Sequence, residues 1–133
     1  MVFVCVGNAC RSQMAEGFAR AYGSDVFEVH SAGVAPALMV PEETKRTMME
    51  RNIDISDHFP KEFRRYPSGF FDLIINMSGM PLHGYENVRV WPITDPYGSN
   101  QRVYRTVRDQ IEKLVMELIL ELRRKSPRNA QNA

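Results

Sequence analysis

The sequence predicts an α/β fold in which a parallel sheet is covered on both faces by helices. Two observations lead there. Short apolar, β-branched segments alternate along the chain with helix-patterned ones, the order that builds parallel strands joined by crossover helices. The last helix-patterned segment, about 101–125, is long and strongly amphipathic, as a helix laid against a sheet must be. A length of 133 residues suits one domain with a proper core. We expect that domain over residues 1–125, with SPRNAQNA, 126–133, as a flexible tail.

Residues 1–5, MVFVC, are short, apolar and β-branched, which predicts a buried strand. GNACRS is a turn-rich loop. A helix follows, with Met14, Ala15, Phe18, Ala19 and Tyr22 at helical spacing; Ser12 could cap it, or Arg11 could already lie inside it. Residues 27–30 read as a second strand and 31–40 as a loop. Pro41 fits the first position of a helix formed by EETKRTMMERN. The segment 57–67 is ambiguous, with a short helix expected around 60–65. FFDLIINM, 70–77, is the strongest strand signal, and VRVWPI, 88–93, is another. In the long final helix, Val103, Val107, Ile111, Leu114, Val115, Leu118 and Leu122 form an apolar stripe suited to core packing.

A formal net charge of +1 gives no reason to expect nucleic acid or an anionic membrane surface as partner. No apolar run approaches the roughly 18 residues needed to span a bilayer. Strand-like residues begin at Met1 with no basic leader before them, which predicts a cytoplasmic protein. Two cysteines make no disulfide framework and read as free thiols in a reducing compartment.

The stretch CVGNACRS, 5–12, places a thiol directly after the first strand and an arginine six positions later. A core needs neither. Thiolate is the attacking form of cysteine, and helix N-termini and positive charge favour it. A loop leading into a helix offers backbone N–H groups that converge on an anion, here from Val6, Gly7, Asn8, Ala9 and Cys10. Gly7 allows close backbone approach or a positive φ. Arg11 adds a planar fork able to bind two oxygens of an oxyanion. Ser12 could donate to the sulfur, and Asn8 could brace the loop. The plainer reading keeps Cys5 as a buried strand-end cysteine and Arg11 as a solvated helix residue.

DPYG, 95–98, supplies a second group. A carboxyl on a stiff loop at Asp95 suits protonation of a leaving oxygen, although Asp-Pro and Tyr-Gly are also common turn pairs. In open α/β sheets ligands bind beyond the carboxyl ends of the strands. Cys5 ends the first strand and Asp95 follows the last, so both loops could open on one edge. His30, His58 and His83 have no metal-ligand spacing and read as packed or hydrogen-bonded residues. Trp91 reads as core.

CVGNACRSQMAEG resembles the phosphate-binding signature of the low-molecular-weight protein tyrosine phosphatases and of the arsenate reductases that share their fold. HSAGV at 30–34, NIDISDH at 52–58, FDLIINM at 71–77 and DPYG before RVYRTVRDQIEKLV match in the family's order. The resemblance implies a three-layer, phosphotyrosine phosphatase I-like fold with a four-stranded parallel sheet. It implies Cys5 as nucleophile, Arg11 as oxyanion clamp and Asp95 as general acid, then as base toward a phosphocysteine. Val6, Gly7, Asn8, Ala9, Cys10, Ser12 and Tyr97 would contact substrate or support the loop. No metal or organic cofactor is implied.

On this reading the expected activity is hydrolysis of aryl phosphates, phosphotyrosine in proteins foremost, with inorganic phosphate or another oxyanion fitting the same loop. The alternative is arsenate reduction with an external thiol. Thioredoxin-linked reductases carry further cysteines in the segment that here reads NMSGMPLHGYENV, where Ser78 stands in place of the first of them. DPYG and Tyr97 lean toward phosphatase. The loop VAPALMV lacks the bulky aromatic common in phosphatases, so Leu38 or Met39, with Met80 or His83 nearby, is expected to form one wall of the entrance. Cys10 either packs as a small apolar group or closes a disulfide with Cys5 under oxidation.

Overall fold

The computed structural model describes residues 1–125; the expected flexible tail, 126–133, lies outside the described residues. Four strands, β1 (Val2–Cys5), β2 (His30–Gly33), β3 (Ile74–Asn76) and β4 (Val88–Val90), form one parallel sheet in the order β2-β1-β3-β4. The chain leaves β1 toward β2 on one side and later returns to β3 on the other. Cys5 therefore ends the strand at which the winding direction reverses, the crevice where ligands of open α/β sheets bind.

Three α-helices, α1 (Arg11–Gly23), α2 (Glu42–Met49) and α3 (Gln101–Lys125), share one apolar cluster with Phe3, Cys5 and Ile75 of the sheet and with Met77 just beyond β3. The alternation along β1 sends Val2 and Val4 to the opposite face. There the 3-10 helix Phe63–Arg65 brings Phe63 over the strands, with Phe71, Tyr66 and Tyr85 around it. The central β1 is thus enclosed from both sides, and all four of its residues are buried, whereas Arg89 and Val90 of the edge strand β4 are exposed. Complete burial of a side chain such as Phe3 or Ile75 contributes about 1.5–3 kcal/mol. Among the described residues no helix is long and apolar enough to cross a membrane.

Several boundaries differ from the sequence expectation. β2 runs over His30–Gly33, beginning where the expected strand 27–30 ends. Alanine and glycine are poor strand formers, yet Ser31, Ala32 and Gly33 pair in register with Phe3, Val4 and Cys5, and His30 pairs with Val2. Small residues are needed there because a side-chain carbon on Gly33 would sit 2.7 Å from the Val6 carbonyl oxygen and 2.8 Å from the Asn8 nitrogen. Pro41 caps α2 in extended conformation instead of opening it. Arg11 lies inside α1, and the preceding Cys10 occupies the cap without a side-chain cap bond, so Ser12 is not the cap. The α3 stripe packs as expected, joined by Tyr104, Arg108 and Ile119, which are also buried.

Candidate active site

The loop from Val6 to Cys10 is fastened from outside by the segment after β2. Val34, Ala35 and Ala37 donate their N–H groups to the carbonyls of Cys5, Val6 and Gly7 at 3.1, 2.8 and 2.9 Å. The left-handed residue of the turn is Asn8, at φ 50°, and not Gly7. Asparagine tolerates this region because its short amide makes local hydrogen bonds. Here Asn8 Nδ2 donates to Ser12 Oγ (2.7 Å) and Ser31 Oγ (3.0 Å), while Asn8 Oδ1 accepts from the Lys61 amide (2.9 Å). A side-chain carbon at Gly7 would make only ordinary contacts, with Ala9 and Ala37.

Cys5 Sγ lies 2.9 Å from Ser12 Oγ, and both residues are buried. The serine belongs to a chain of polar side chains. Ser31 gives its one hydroxyl proton to Glu16 Oε1. Both hydrogens of Asn8 Nδ2 are then taken by Ser31 and Ser12. Ser12 Oγ accepts from Asn8 through one lone pair, and between Ser12 and Cys5 either atom can donate. An ionised sulfur can only accept, and Ser12 is then the donor beside it.

Arg11 is 5% exposed, and its guanidinium is held on two sides. Nη1 donates to the carbonyls of Met77 and Ile93, and Nη2 lies 3.6 Å from Asp95 Oδ2. Nε is buried without a hydrogen-bond partner, the one such side-chain nitrogen or oxygen among the described residues. An unpaired buried donor costs about 1–3 kcal/mol. Asp95 is half-exposed, and its Oδ1 accepts from the Tyr97 amide at 3.1 Å. Cys5, Val6, Gly7, Ala9, Cys10, Arg11, Ala37, Asp95 and Tyr97 line one cavity of about 180 Å³.

Of the residues singled out from sequence, Asn8 and Ser12 stand behind that cavity and the others line it. The expected wall of Leu38 or Met39, with Met80 or His83, does not form. Ala37 lines the cavity instead, while Leu38 and Met39 project into solvent, fully and 70% exposed. Cys10 Sγ accepts from Thr44 Oγ1 (3.4 Å) and lies 3.6 Å from the Tyr104 hydroxyl. Burial raises its pKa; hydrogen bonds from Thr44 and Tyr104 pull the other way, and the charges of Asp95 and Cys5 push it up again. Both cysteines are free, and Cys10 packs as a hydrogen-bonded buried thiol. Sequence reading missed Glu16, Ser31 and Gln13. Their only signal is indirect: an asparagine amide in a tight loop has two donor hydrogens and an acceptor oxygen that need partners.

A buried cysteine at a strand end, a loop bound through its carbonyls and a buried arginine meet at one cavity of an α/β protein. The chain belongs to the low molecular weight phosphotyrosine protein phosphatase family, whose model matches residues 1–82. It is 34% identical over 129 residues to a glutaredoxin arsenate reductase of Synechocystis sp., spanning 92% of this chain and 97% of the relative. An arsenate reductase solved in a phosphate-binding state superposes with a TM-score of 0.84 at 34% identity, covering 91% of this chain and 96% of that one. A low molecular weight protein tyrosine phosphatase from T. tengcongensis superposes with a TM-score of 0.76 at 30% identity, covering 90% and 97%.

Proposed function

We propose that this enzyme binds a tetrahedral oxyanion in the Val6–Cys10 loop and attacks it with the Cys5 thiolate, and that arsenate is the substrate it reduces. The observation that carries the oxyanion site is Arg11 Nε, a buried charged donor left without a partner beside Cys5. An oxyanion oxygen satisfies it. Arg11 Nη2 and the loop amides, whose carbonyl partners are already taken by residues 34–37, can hold the remaining oxygens. Arsenate is favoured over phosphate esters by the relatives, and the phosphate-binding state of one of them supports oxyanion capture.

In the proposed reaction Cys5 sulfur attacks arsenic(V) and an oxygen leaves as water, forming a sulfur–arsenic bond. An external thiol then attacks Cys5 sulfur. The sulfur–arsenic bond breaks with its electron pair remaining on arsenic, which leaves as arsenite. The resulting mixed disulfide is opened by a second thiol, which restores Cys5 and releases an oxidised dithiol. Two thiols thus supply the two electrons. No cofactor or metal enters this scheme, and the cytoplasm is the compartment that supplies such thiols.

A second reading, hydrolysis of aryl phosphate esters, rests on Asp95 and Tyr97. Asp95 stands at the cavity 3.6 Å from Arg11 with its carboxyl half-exposed, the position for protonating a departing phenol. Tyr97 is 67% exposed and offers a ring to an aromatic substrate. Phosphotyrosine proteins or small aryl phosphates would then be the partners. One preparation assayed with arsenate plus glutathione-type thiols and with p-nitrophenyl phosphate separates the readings. Arsenite production that outpaces phosphate release supports reduction. Phosphate release without arsenite under any thiol reverses the order.

A further inference from the structure

The amino-terminal edge of the sheet, at the other end of β1 from Cys5, carries a second cavity. Its volume is about 490 Å³, against about 180 Å³ at Cys5. Sites that hold a small organic molecule run from about 300 to 1,000 Å³ and are mostly apolar, with a few polar groups at their rim. This cavity has that composition. Met1, His30 and Leu73 bound it at the starts of β1, β2 and β3, and Phe27, Phe71 and Leu122 continue its apolar surface. No step of the proposed reaction takes place at this edge.

One wall is an aromatic ring held out toward solvent. Phe70 is 56% exposed, yet its surroundings fix its place. Its amide donates to the Pro67 carbonyl at 3.1 Å, across a turn in which Gly69 takes φ 87°. Ser68 Oγ in the same turn donates to the Gly84 carbonyl at 2.8 Å. The Phe70 ring lies 4.9 Å from Phe71 and 5.2 Å from Tyr66, centroid to centroid. Aromatic faces attract cations through the ring quadrupole.

The charges at the rim favour the same sign of ligand. Glu28 and Asp72 both line the cavity and are exposed. Two groups oppose them. The Met1 amine donates to the Glu28 carbonyl at 2.9 Å, and His30 Nε2 lies 3.7 Å from Glu28 Oε1. Burial lowers the pKa of the amine, while Asp72 and Glu28 draw it up. With the imidazole neutral, two carboxylates face at most one ammonium, which leaves a negative balance over an aromatic surface. An anionic ligand would meet both carboxylates. We propose that this cavity is a second binding site of the protein, and that it takes a small organic cation with an apolar body, an aryl- or alkylammonium.

Three compounds of one shape and different charge test this: 2-phenylethylammonium, 2-phenylethanol and phenylacetate. Each is titrated into the unaltered full chain at pH 8, with backbone amides followed by NMR. The ammonium should shift the amides of residues 26–30 and 70–73 saturably. It should bind about fivefold or more tightly than the alcohol, the scale of one charge contact in water, and phenylacetate should bind more weakly than either. Glu28→Gln combined with Asp72→Asn should bring the ammonium to the affinity of the alcohol. Equal binding of alcohol and ammonium, tighter binding of phenylacetate, a response confined to residues 5–11, or an affinity unchanged in the double variant each overturns the proposal. The comparison of the three compounds needs no variant to fold.

Discussion

The Ser12 hydroxyl stands 2.9 Å from Cys5 Sγ and accepts from Asn8 Nδ2 through one of its two lone pairs, so it is the donor to the sulfur once that sulfur is ionised. The serine sits in the first turn of α1 and is buried. Ser12→Ala removes one hydrogen bond to a charged acceptor, worth about 1.5–3 kcal/mol. At about 1.4 kcal/mol per pH unit, the midpoint of Cys5 alkylation should rise by about 1–2 units. Thermal unfolding should change little by comparison. An unmoved midpoint would mean that the sulfur is not ionised through Ser12.

Gly33 and Val6 meet backbone to backbone. A methyl group at Gly33 would stand 2.7 Å from the Val6 carbonyl oxygen and 2.9 Å from the Gly7 carbonyl carbon, neither of which can swing aside as a side chain does. Gly33→Ala should displace the loop, costing about 1–3 kcal/mol of stability as overpacking does. Activity should fall further than that loss explains, since the displaced atoms are those that would hold the oxyanion. Calorimetry and turnover on one preparation test this. Activity retained in a destabilised variant would count against the loop geometry.

The same contact explains what the sequence made legible and what it did not. Cys5, Arg11 and Asp95 stand out because a core has no use for them, and the sheet brings all three to one cavity. β2 was misplaced because its residues are chosen for smallness beside the loop, against strand propensity. Glu16 reads in QMAEGFARAY as one more solvated helix position. It is buried because the loop and the 57–61 segment close over α1, a tertiary fact with no local pattern. Arg108 is likewise buried on α3, where it meets Glu50.

Glu50 follows α2 and clamps it to α3, accepting from Arg105 Nη2 and Arg108 Nη1, both at 2.6 Å. The Arg105 hydrogen bonds, against some burial and with help from Arg108, hold its carboxyl at about 2, below the ordinary 4.5. A depressed carboxylate stabilises the fold above its unfolded pKa and loses that contribution as pH falls through the folded one. Glu50→Gln should therefore lower the melting temperature at pH 7. The gap should narrow below pH 4.5 and be smallest near pH 2. A gap independent of pH would assign the effect to packing. The site is exposed, so salt should shrink the gap at pH 7 as well.

Asp95 bears differently on the two candidate reactions. In ester hydrolysis it would protonate a departing phenol, and the need for that proton grows as the leaving group becomes more basic. In arsenate reduction the departing oxygen leaves from arsenic itself, and no aryl group waits for an acid. Asp95→Ala should therefore slow phenyl phosphate more than p-nitrophenyl phosphate, by about 10²-fold or more if Asp95 is the acid. It should reduce arsenite production less, chiefly by removing the carboxylate 3.6 Å from Arg11 Nη2 and the brace that its Oδ1 gives the Tyr97 amide. Equal slowing of both esters would remove Asp95 from the acid role. A collapse of arsenite production as large as that of phenyl phosphate would place the carboxyl in the arsenic chemistry too.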